Sequence, residues 1–132
     1  MIRYILDTNA VISLLNDPHS ALARRARREP PGDIAISAIV VHELYFGAFR
    51  SARADRNVRL IDELQLAVIE FDRDDARQAG AVRAALAAAG TPIGPYDTLI
   101  AGQAVSRGLT LVTGNTKEFG RIEGLMAEDW QV

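Results

Sequence analysis

Three acidic residues, Asp7, Glu43 and Asp97, occupy positions where a carboxylate is unusual. Asp7 ends a strand-like apolar run, and Glu43 and Asp97 each have apolar residues three and four positions away. A charge that folding buries without a partner costs several kcal/mol, so acids in such places commonly bind a cation, pair with a base or take part in chemistry. We expect the other acids, such as those in the run 72–75, to be ordinary solvated residues.

Carboxylates that converge suit a divalent cation. Oxygen ligands select hard ions such as Mg²⁺ or Mn²⁺, and a bound cation lowers the pKa of its water and neutralises charge on a phosphate. Hydrolysis of a phosphodiester near pH 7 needs both effects. Because Mg²⁺ keeps several waters and takes one or two carboxylates directly, we expect Asp7 and Asp97 to be direct ligands and Glu43 to act largely through water.

Each acid also has a structural interpretation. Asp7 could cap a helix, since aspartate accepts hydrogen bonds from helix N-terminal amides. Asp97 could stabilise the positive end of a helix dipole. Glu43 could pair with an arginine distant in sequence. Thr113 and Asn115 could simply form a turn.

Composition limits the class of protein. The chain has 132 residues, 48% of them hydrophobic, which suits one core. It has no cysteine, so disulfides, thiolate zinc sites and cysteine nucleophiles are excluded. We expect a cytoplasmic protein without a leader or a membrane span. The net charge of −2 gives no global signature for nucleic acid.

Strand and helix patterns alternate along the chain. The predicted strands are 2–6, 34–36, 68–71 and 109–112, with a fifth near 126–128. The predicted helices are 10–15 with Thr8 or Asn9 as cap, a second opened by Asp17 and Pro18 and ending near 28, then 38–49, 52–64, 74–89 and 96–107. Alternation of this kind predicts an α/β fold: a central, mostly parallel sheet of four or five strands with helices on both faces.

The polar residues that follow the strands share one rim of such a sheet. Asp7, Ser37, Thr113 and Asn115 follow the first, second and fourth strands, and ligands of parallel sheets bind beyond the carboxyl ends of the strands. Short polar residues there would orient carboxylates or metal-bound water. We therefore predict supporting roles for Thr8, Asn9, Ser37 and Thr113, and a site role for Asn115.

Four segments together resemble the PIN-domain ribonucleases, and among these the VapC toxins. They are Tyr4-Ile5-Leu6-Asp7-Thr8-Asn9, Ser37 to Leu44 with Glu43, Pro95-Tyr96-Asp97-Thr98-Leu99-Ile100-Ala101, and Leu111 to Phe119 with Asn115. The resemblance spans nearly the whole chain in order and spacing. It implies a three-layer α/β/α sandwich forming a single PIN domain over residues 1–132.

The resemblance also implies an activity and its partners. It implies a Mg²⁺- or Mn²⁺-dependent endoribonuclease that leaves 5′-phosphate and 3′-hydroxyl ends, inhibited by a VapB-type antitoxin, and a homodimer that forms larger toxin–antitoxin assemblies. Asp7, Glu43 and Asp97 would be the core acids. The fourth position, often aspartate in the wider family, is Asn115 here, so the number of metal ions stays open between one and two.

Arginines and aromatic residues complete the candidates. Two arginine groups, 24–28 and 50–59, could guide an RNA backbone, or could form solvated helix faces. Tyr45, Phe46 and Phe49 are interpreted as core or dimer-interface residues. His42 is interpreted as structural or peripheral, since it points about 100° away from Glu43 on a helix.

Two other classes of function remain open from sequence. One is a phosphoacceptor receiver-like signalling module using Asp72, which would leave Glu43 and Asp97 unexplained. The other is a catalytically inactive PIN-fold domain that binds RNA or protein. The presence of all three core acids argues against the second.

Overall fold

The computed structural model describes residues 1–132 and centres on one sheet of five parallel strands. The strand order is β3-β2-β1-β4-β5. The strands are β1 (Tyr4–Leu6), β2 (Ile34–Ser37), β3 (Ala67–Ile69), β4 (Thr110–Val112) and β5 (Met126–Glu128). The predicted α/β class with a parallel sheet is confirmed, and the fifth strand is present.

Seven α-helices connect these strands. They are α1 (Thr8–Asn16), α2 (Ala21–Arg28), α3 (Ala38–Arg50), α4 (Ala54–Asp62), α5 (Arg73–Ala88), α6 (Pro95–Arg107) and α7 (Thr116–Phe119), and a 3-10 turn (Pro31–Asp33) precedes β2. None of them is both long and apolar enough to cross a membrane.

The two central strands explain why the carboxyl rim is fixed in place. Every residue of β1 and β2 is buried, because helices cover both faces of the sheet and neither face is exposed to solvent. β1 pairs in parallel with β2 on one side and β4 on the other, with Leu6 in register with Ile36 and Val112. The three strands therefore end at the same level.

The first two helices begin at positions that the sequence prediction missed. Asp7 caps α1, which starts at Thr8, so the cap lies at the residue that the structural interpretation of Asp7 allowed and not at Thr8 or Asn9. Ser20 caps α2 through its Oγ atom, so the predicted cap at Asp17 is wrong. The Asp17 carboxylate instead accepts the backbone N–H of His19 at 3.0 Å, a local turn that competes with helix.

One acid in the polar run 72–75 is not the solvated residue that the sequence suggested. Asp75 is only 1% exposed, and its carboxylate accepts hydrogen bonds from Arg107 and Gln103 of α6. Asp75 and Asp72 also form a reciprocal capping box at the start of α5. The hydrogen bonds lower the pKa of the Asp75 carboxyl against the opposing effect of burial. This network ties α5 to the C-terminal half of α6.

Helices α5 and α6 also pack unusually closely. A Cβ atom added to Gly102 would lie 2.3 Å from the Cα of Ala79, far inside van der Waals contact. Only glycine allows the two backbones to approach this closely. Because α6 carries Asp97 in its first turn, this contact sets the position of that acid.

We expect Gly102→Ala to destabilise the protein by about 1–3 kcal/mol or more, because the added methyl group overpacks the helix contact. Urea unfolding followed by circular dichroism measures this free energy. Gly80→Ala is the matched control, since a Cβ at Gly80 meets nothing within 4 Å and alanine is the better helix former. Equal stability of Gly102→Ala and Gly80→Ala would contradict the assigned contact.

Candidate active site

The candidate site lies at the carboxyl rim of the sheet, where β1, β2 and β4 end. The backbone N–H of Asp7 donates to the carbonyl of Val112 at 3.0 Å, so Asp7 continues the sheet by one residue before α1 begins. Ser37 ends β2 and Thr113 follows β4, and both are buried. The rim therefore has a rigid base of paired backbone.

Asp7 is the buried acid of the site, with 6% of its surface exposed. Its Oδ1 atom accepts the N–H of Ala10 at 2.8 Å, so the capping interpretation is correct for this oxygen. Burial raises the pKa of the Asp7 carboxyl above its usual value, and the charge of Glu43 raises it further, while the Thr113 hydroxyl and the Ala10 N–H lower it. Capping uses Oδ1, which leaves Oδ2 for a further ligand.

Glu43 lies on α3 and is half-buried. Its Oε1 atom accepts the hydroxyl of Thr8 at 2.7 Å, which connects the start of α1 to α3. The ion pairs of the structure do not include Glu43, so the interpretation as a partner of a distant arginine is wrong. The contact orients the Glu43 carboxylate, a supporting role of the kind predicted for Thr8.

Asp97 is half-buried in the first turn of α6. Burial raises the pKa of its carboxyl, and the nearby charges of Glu43, Asp7 and Glu118 raise it further. The three predicted acids, which are distant in sequence, therefore lie close enough to repel one another. The helix-dipole interpretation describes the position of Asp97 correctly but does not account for this crowding.

Asn115 lies at the mouth of the site together with an acid that the sequence analysis missed. Its side-chain amide donates to the carboxylate of Glu118, and its backbone N–H donates to the Thr113 hydroxyl at 3.0 Å. The turn interpretation is thus correct for the backbone. Glu118 was missed because the short helix α7, which carries it, was not predicted. The three-residue spacing between Asn115 and Glu118 was the one sequence signal that the two side chains could interact.

The other two residues with predicted supporting roles, Ser37 and Asn9, form no hydrogen bond with the acids of the site. The Ser37 hydroxyl accepts the N–H of Ile39 at 3.1 Å, so it caps α3 and its hydrogen bond is structural. Asn9 is exposed, and its side chain takes part in none of the hydrogen bonds of the structure. The supporting roles predicted for these two residues stay predictions.

The side chains at the rim are of the types that bind a metal ion, but their carboxylates do not converge on one position. No group of three or more His, Cys, Asp or Glu side chains is close enough to hold a metal ion. Like charges favour separation, and the Thr8 hydroxyl holds Glu43 on one side. All the donors are carboxylate, hydroxyl and amide oxygens, the ligand set of Mg²⁺ and Mn²⁺ rather than of zinc.

An apolar groove of about 310 Å³ opens beside Glu43 between α1, α3 and α4. Ile12, Leu15 and Leu60 line it and are partly exposed. An exposed apolar surface next to a charged site is typical of a protein-binding surface.

Comparison with known proteins identifies the relatives of this chain. The PIN domain family model matches residues 4–125. The tRNA(fMet)-specific endonuclease VapC of Shigella flexneri is 40% identical, with 98% of this chain and 99% of that protein covered. In the crystal structure of DNA-bound VapBC from Salmonella typhimurium, the matching chain is 39% identical with a TM-score of 0.93, covering 98% of this chain and 99% of that one. In VapBC-1 from nontypeable Haemophilus influenzae, it is 35% identical with a TM-score of 0.90 over 100% of both chains.

These matches agree with the order of the motifs and with the five-stranded sheet. The chain therefore belongs to the PIN-domain family, and within that family to the VapC-type ribonucleases.

We expect Asp97→Asn to raise the free energy of unfolding at pH 7 in chelator-containing buffer, because the substitution removes a repelled, partly buried charge. Folding raises the pKa of the Asp97 carboxyl above its usual 3.8, so the folded protein binds this proton more tightly than the unfolded chain. The loss of folding stability caused by the Asp97 charge is absent below about pH 3.8, and it develops as the pH rises through the folded pKa. Urea unfolding at several pH values measures the difference between variant and wild type.

Asp74→Asn is the control for this experiment, since Asp74 is an exposed acid in the first turn of α5. Its substitution removes a favourable interaction with the helix dipole at an exposed position, so a small loss of stability is expected. A loss of the same sign and size for Asp97→Asn at pH 7 would contradict the repulsion at the rim.

Proposed function

We propose that this chain is a metal-dependent endoribonuclease that acts as the toxin of a VapBC-type toxin–antitoxin module. The observation that carries the proposal is the placement of Asp7, Glu43 and Asp97 at the carboxyl rim, where burial raises the pKa of Asp7 and Asp97 and the neighbouring acids raise it further. Buried carboxylates next to one another cost stability, and binding of a cation for hydrolysis is a reason for a fold to keep them. The similarity to VapC ribonucleases supports the same activity.

The residues present fit Mg²⁺ or Mn²⁺. Asp7 and Asp97 would hold the ion directly, and Glu43 would act through a bound water, with Asn115 and Glu118 completing the polar surroundings. When bound, the cation supplies an activated water and stabilises charge on the phosphate. Whether one or two ions bind depends on whether Asn115 and Glu118 replace the fourth acid found elsewhere in the family.

The side chains of the site have separate tasks in this proposal. The hydrogen bond from the Ala10 N–H holds one oxygen of Asp7 in place, so its other oxygen has a defined direction. Thr8 holds one oxygen of Glu43, which leaves the other to accept a hydrogen bond from the attacking water. The Asn115 amide, now on Glu118, would donate to a phosphate oxygen when RNA enters.

The substrate class we propose is RNA, and initiator tRNA is the first RNA to test. The Shigella flexneri relative is named a tRNA(fMet)-specific endonuclease and matches this chain over nearly its full length. Sequencing of the RNA ends formed after brief expression would define the target and the cleavage position.

The partner we propose is a VapB-type antitoxin, bound by a homodimer of this chain within a larger complex. Similar chains crystallised as VapBC complexes, two of them with DNA, and this supports an antitoxin that also binds DNA. The apolar groove beside Glu43 would accept an apolar antitoxin segment. Occupation of that groove would bring the antitoxin directly to the acids.

The receiver-like alternative gains no support from the structure. Asp72 follows β3 at the edge of the sheet, caps α5 and pairs with Arg107. The Asp72 carboxylate therefore has a structural role as a helix cap and ion-pair partner, and it does not lie in an open phosphoacceptor site. The inactive-domain alternative is decided by an assay of activity.

We expect Asp7→Asn and Asp97→Asn to reduce RNA cleavage below detection while the fold is retained, because each loses a charged ligand of the ion. Asparagine caps helices as well as aspartate does, so Asp7→Asn keeps the start of α1. Thr8→Val should reduce activity about 10–100-fold, the usual effect of removing a group that orients a ligand. Purified proteins are assayed on tRNA with Mg²⁺, Mn²⁺ or EDTA.

Asp74→Asn serves again as control and should cleave like the wild type. Calorimetric titration with Mn²⁺ should show binding by the wild type and much weaker binding by Glu43→Gln. Cleavage by contaminant-free Asp97→Asn protein, or undiminished activity in EDTA, would refute the metal-dependent mechanism.

A further inference from the structure

Two aromatic residues meet at the mouth of the site, and each directly precedes a site acid. His42 precedes Glu43 on α3, and Tyr96 precedes Asp97 at the start of α6. Their ring centroids are 5.5 Å apart with the planes tilted by 52°. His42 is exposed and Tyr96 is 44% exposed, so neither ring belongs to the core.

A third exposed ring and a cation continue from this pair along α3. His42, Phe46 and Arg50 follow one another at four-residue spacing, so they lie in one row along the helix. At about 100° per residue, Phe46 and Arg50 fall between the directions of His42 and Glu43 around the axis. Phe46 is 56% exposed, and the Arg50 guanidinium lies 5.1 Å from the centre of its ring. The core interpretation of Phe46 from sequence is therefore wrong, and the same holds for Phe49, which is 68% exposed.

The second arginine group carries positive charge that is not engaged in ion pairs. Arg50, Arg53, Arg56 and Arg59 are exposed, and none takes part in an ion pair of the structure. The other arginine group differs. Arg24 and Arg27 donate to backbone carbonyls, and Arg25 pairs with Glu29 and lies over Trp130. Three of the four arginines of the first group are therefore engaged, Arg28 being the exception, whereas none of the four arginines of the second group takes part in an ion pair.

We propose that Tyr96, His42 and Phe46 form a stacking row for the bases next to the scissile phosphate, and that Arg50 binds the RNA backbone at its far end. This inference rests on the proposed ribonuclease function. Unpaired RNA bases stack on exposed aromatic rings and arginine planes, and such contacts tolerate many sequences. The row begins beside the acids, where a nucleotide flanking the cleaved bond must lie.

Charge favours RNA over a second copy of this chain as the occupant of the row. A guanidinium that lies over an exposed aromatic ring and has no carboxylate partner complements a polyanion. A twofold interface would have to bury this unpaired guanidinium, which costs free energy unless a carboxylate of the other copy meets it. Burial of the row by a second copy is thus the competing outcome of the test.

The test compares Tyr96→Ala, Tyr96→Leu and Tyr96→Phe in cleavage of a single-stranded oligoribonucleotide. Leucine keeps the apolar contact with His42 but has no aromatic face, whereas phenylalanine keeps the face. We expect the alanine and leucine variants to raise KM about tenfold, as loss of one stacked base would, with little change in kcat. Tyr96→Phe should stay within about twofold of wild type.

Arg50→Ala tests the far end of the row. It should weaken binding and make its salt dependence shallower by the contribution of about one phosphate contact. Arg77→Ala is the matched control, because Arg77 is exposed beside Val105 and Ser106 at the opposite end of α6 from Asp97. Binding of an oligoribonucleotide carrying 2-aminopurine, whose fluorescence falls on stacking, gives affinity without any need for cleavage.

Wild-type KM in Tyr96→Leu would overturn the inference and leave Tyr96 with a packing role only. Unchanged KM together with dissociation of a dimer in sedimentation velocity would also overturn it and assign the row to a second copy. Absence of cleavage of both the oligoribonucleotide and tRNA by the wild type would instead refute the proposed function, while the 2-aminopurine signal would still decide whether the row stacks bases.

Discussion

Burial of carboxylates at the end of a parallel sheet, near one another's charge, opposes the folding of this protein. Asp7, Glu43 and Asp97 come from three separate segments, and Glu118 from a fourth; burial raises the pKa of Asp7 and Asp97, and the neighbouring charges raise it further. Only a rigid framework can hold them together. The framework consists of the buried strands β1 and β2, in register with β4, and of the close packing of α5 against α6 at Ala79 and Gly102.

The same residues serve both the framework and the site. Asp7 caps α1 with one oxygen, so the residue whose charge is penalised by burial also contributes a favourable helix start. Thr8 begins that helix and orients Glu43. Structural and functional interpretations of an acid at a strand-to-helix turn are therefore compatible, and a choice between them from sequence alone is not required.

Prediction from sequence succeeded where a local pattern determined the outcome. Alternating apolar runs predicted the α/β class and the five strands, because the spacing of apolar residues within a segment sets its secondary structure. Prediction failed where contacts with distant residues, or competing local hydrogen bonds, determine the structure. Asp75 is predicted to be a surface acid because its hydrogen-bond partners, Arg107 and Gln103, are distant in sequence. Asp17 resembles a helix cap but forms a turn with His19. Glu118 depends on α7, which is too short for a periodic signal.

Diffraction from a crystal of the protein soaked in Mn²⁺, with data collected at the manganese absorption edge, would show whether the acids of the rim bind a cation. We expect an anomalous peak between Asp7 and Asp97, with Glu43 linked to it through water. In an Asp97→Asn crystal that peak should be lost. Ordered carboxylates without a peak among them, at Mn²⁺ concentrations that support cleavage, would rule out a cation site at the rim.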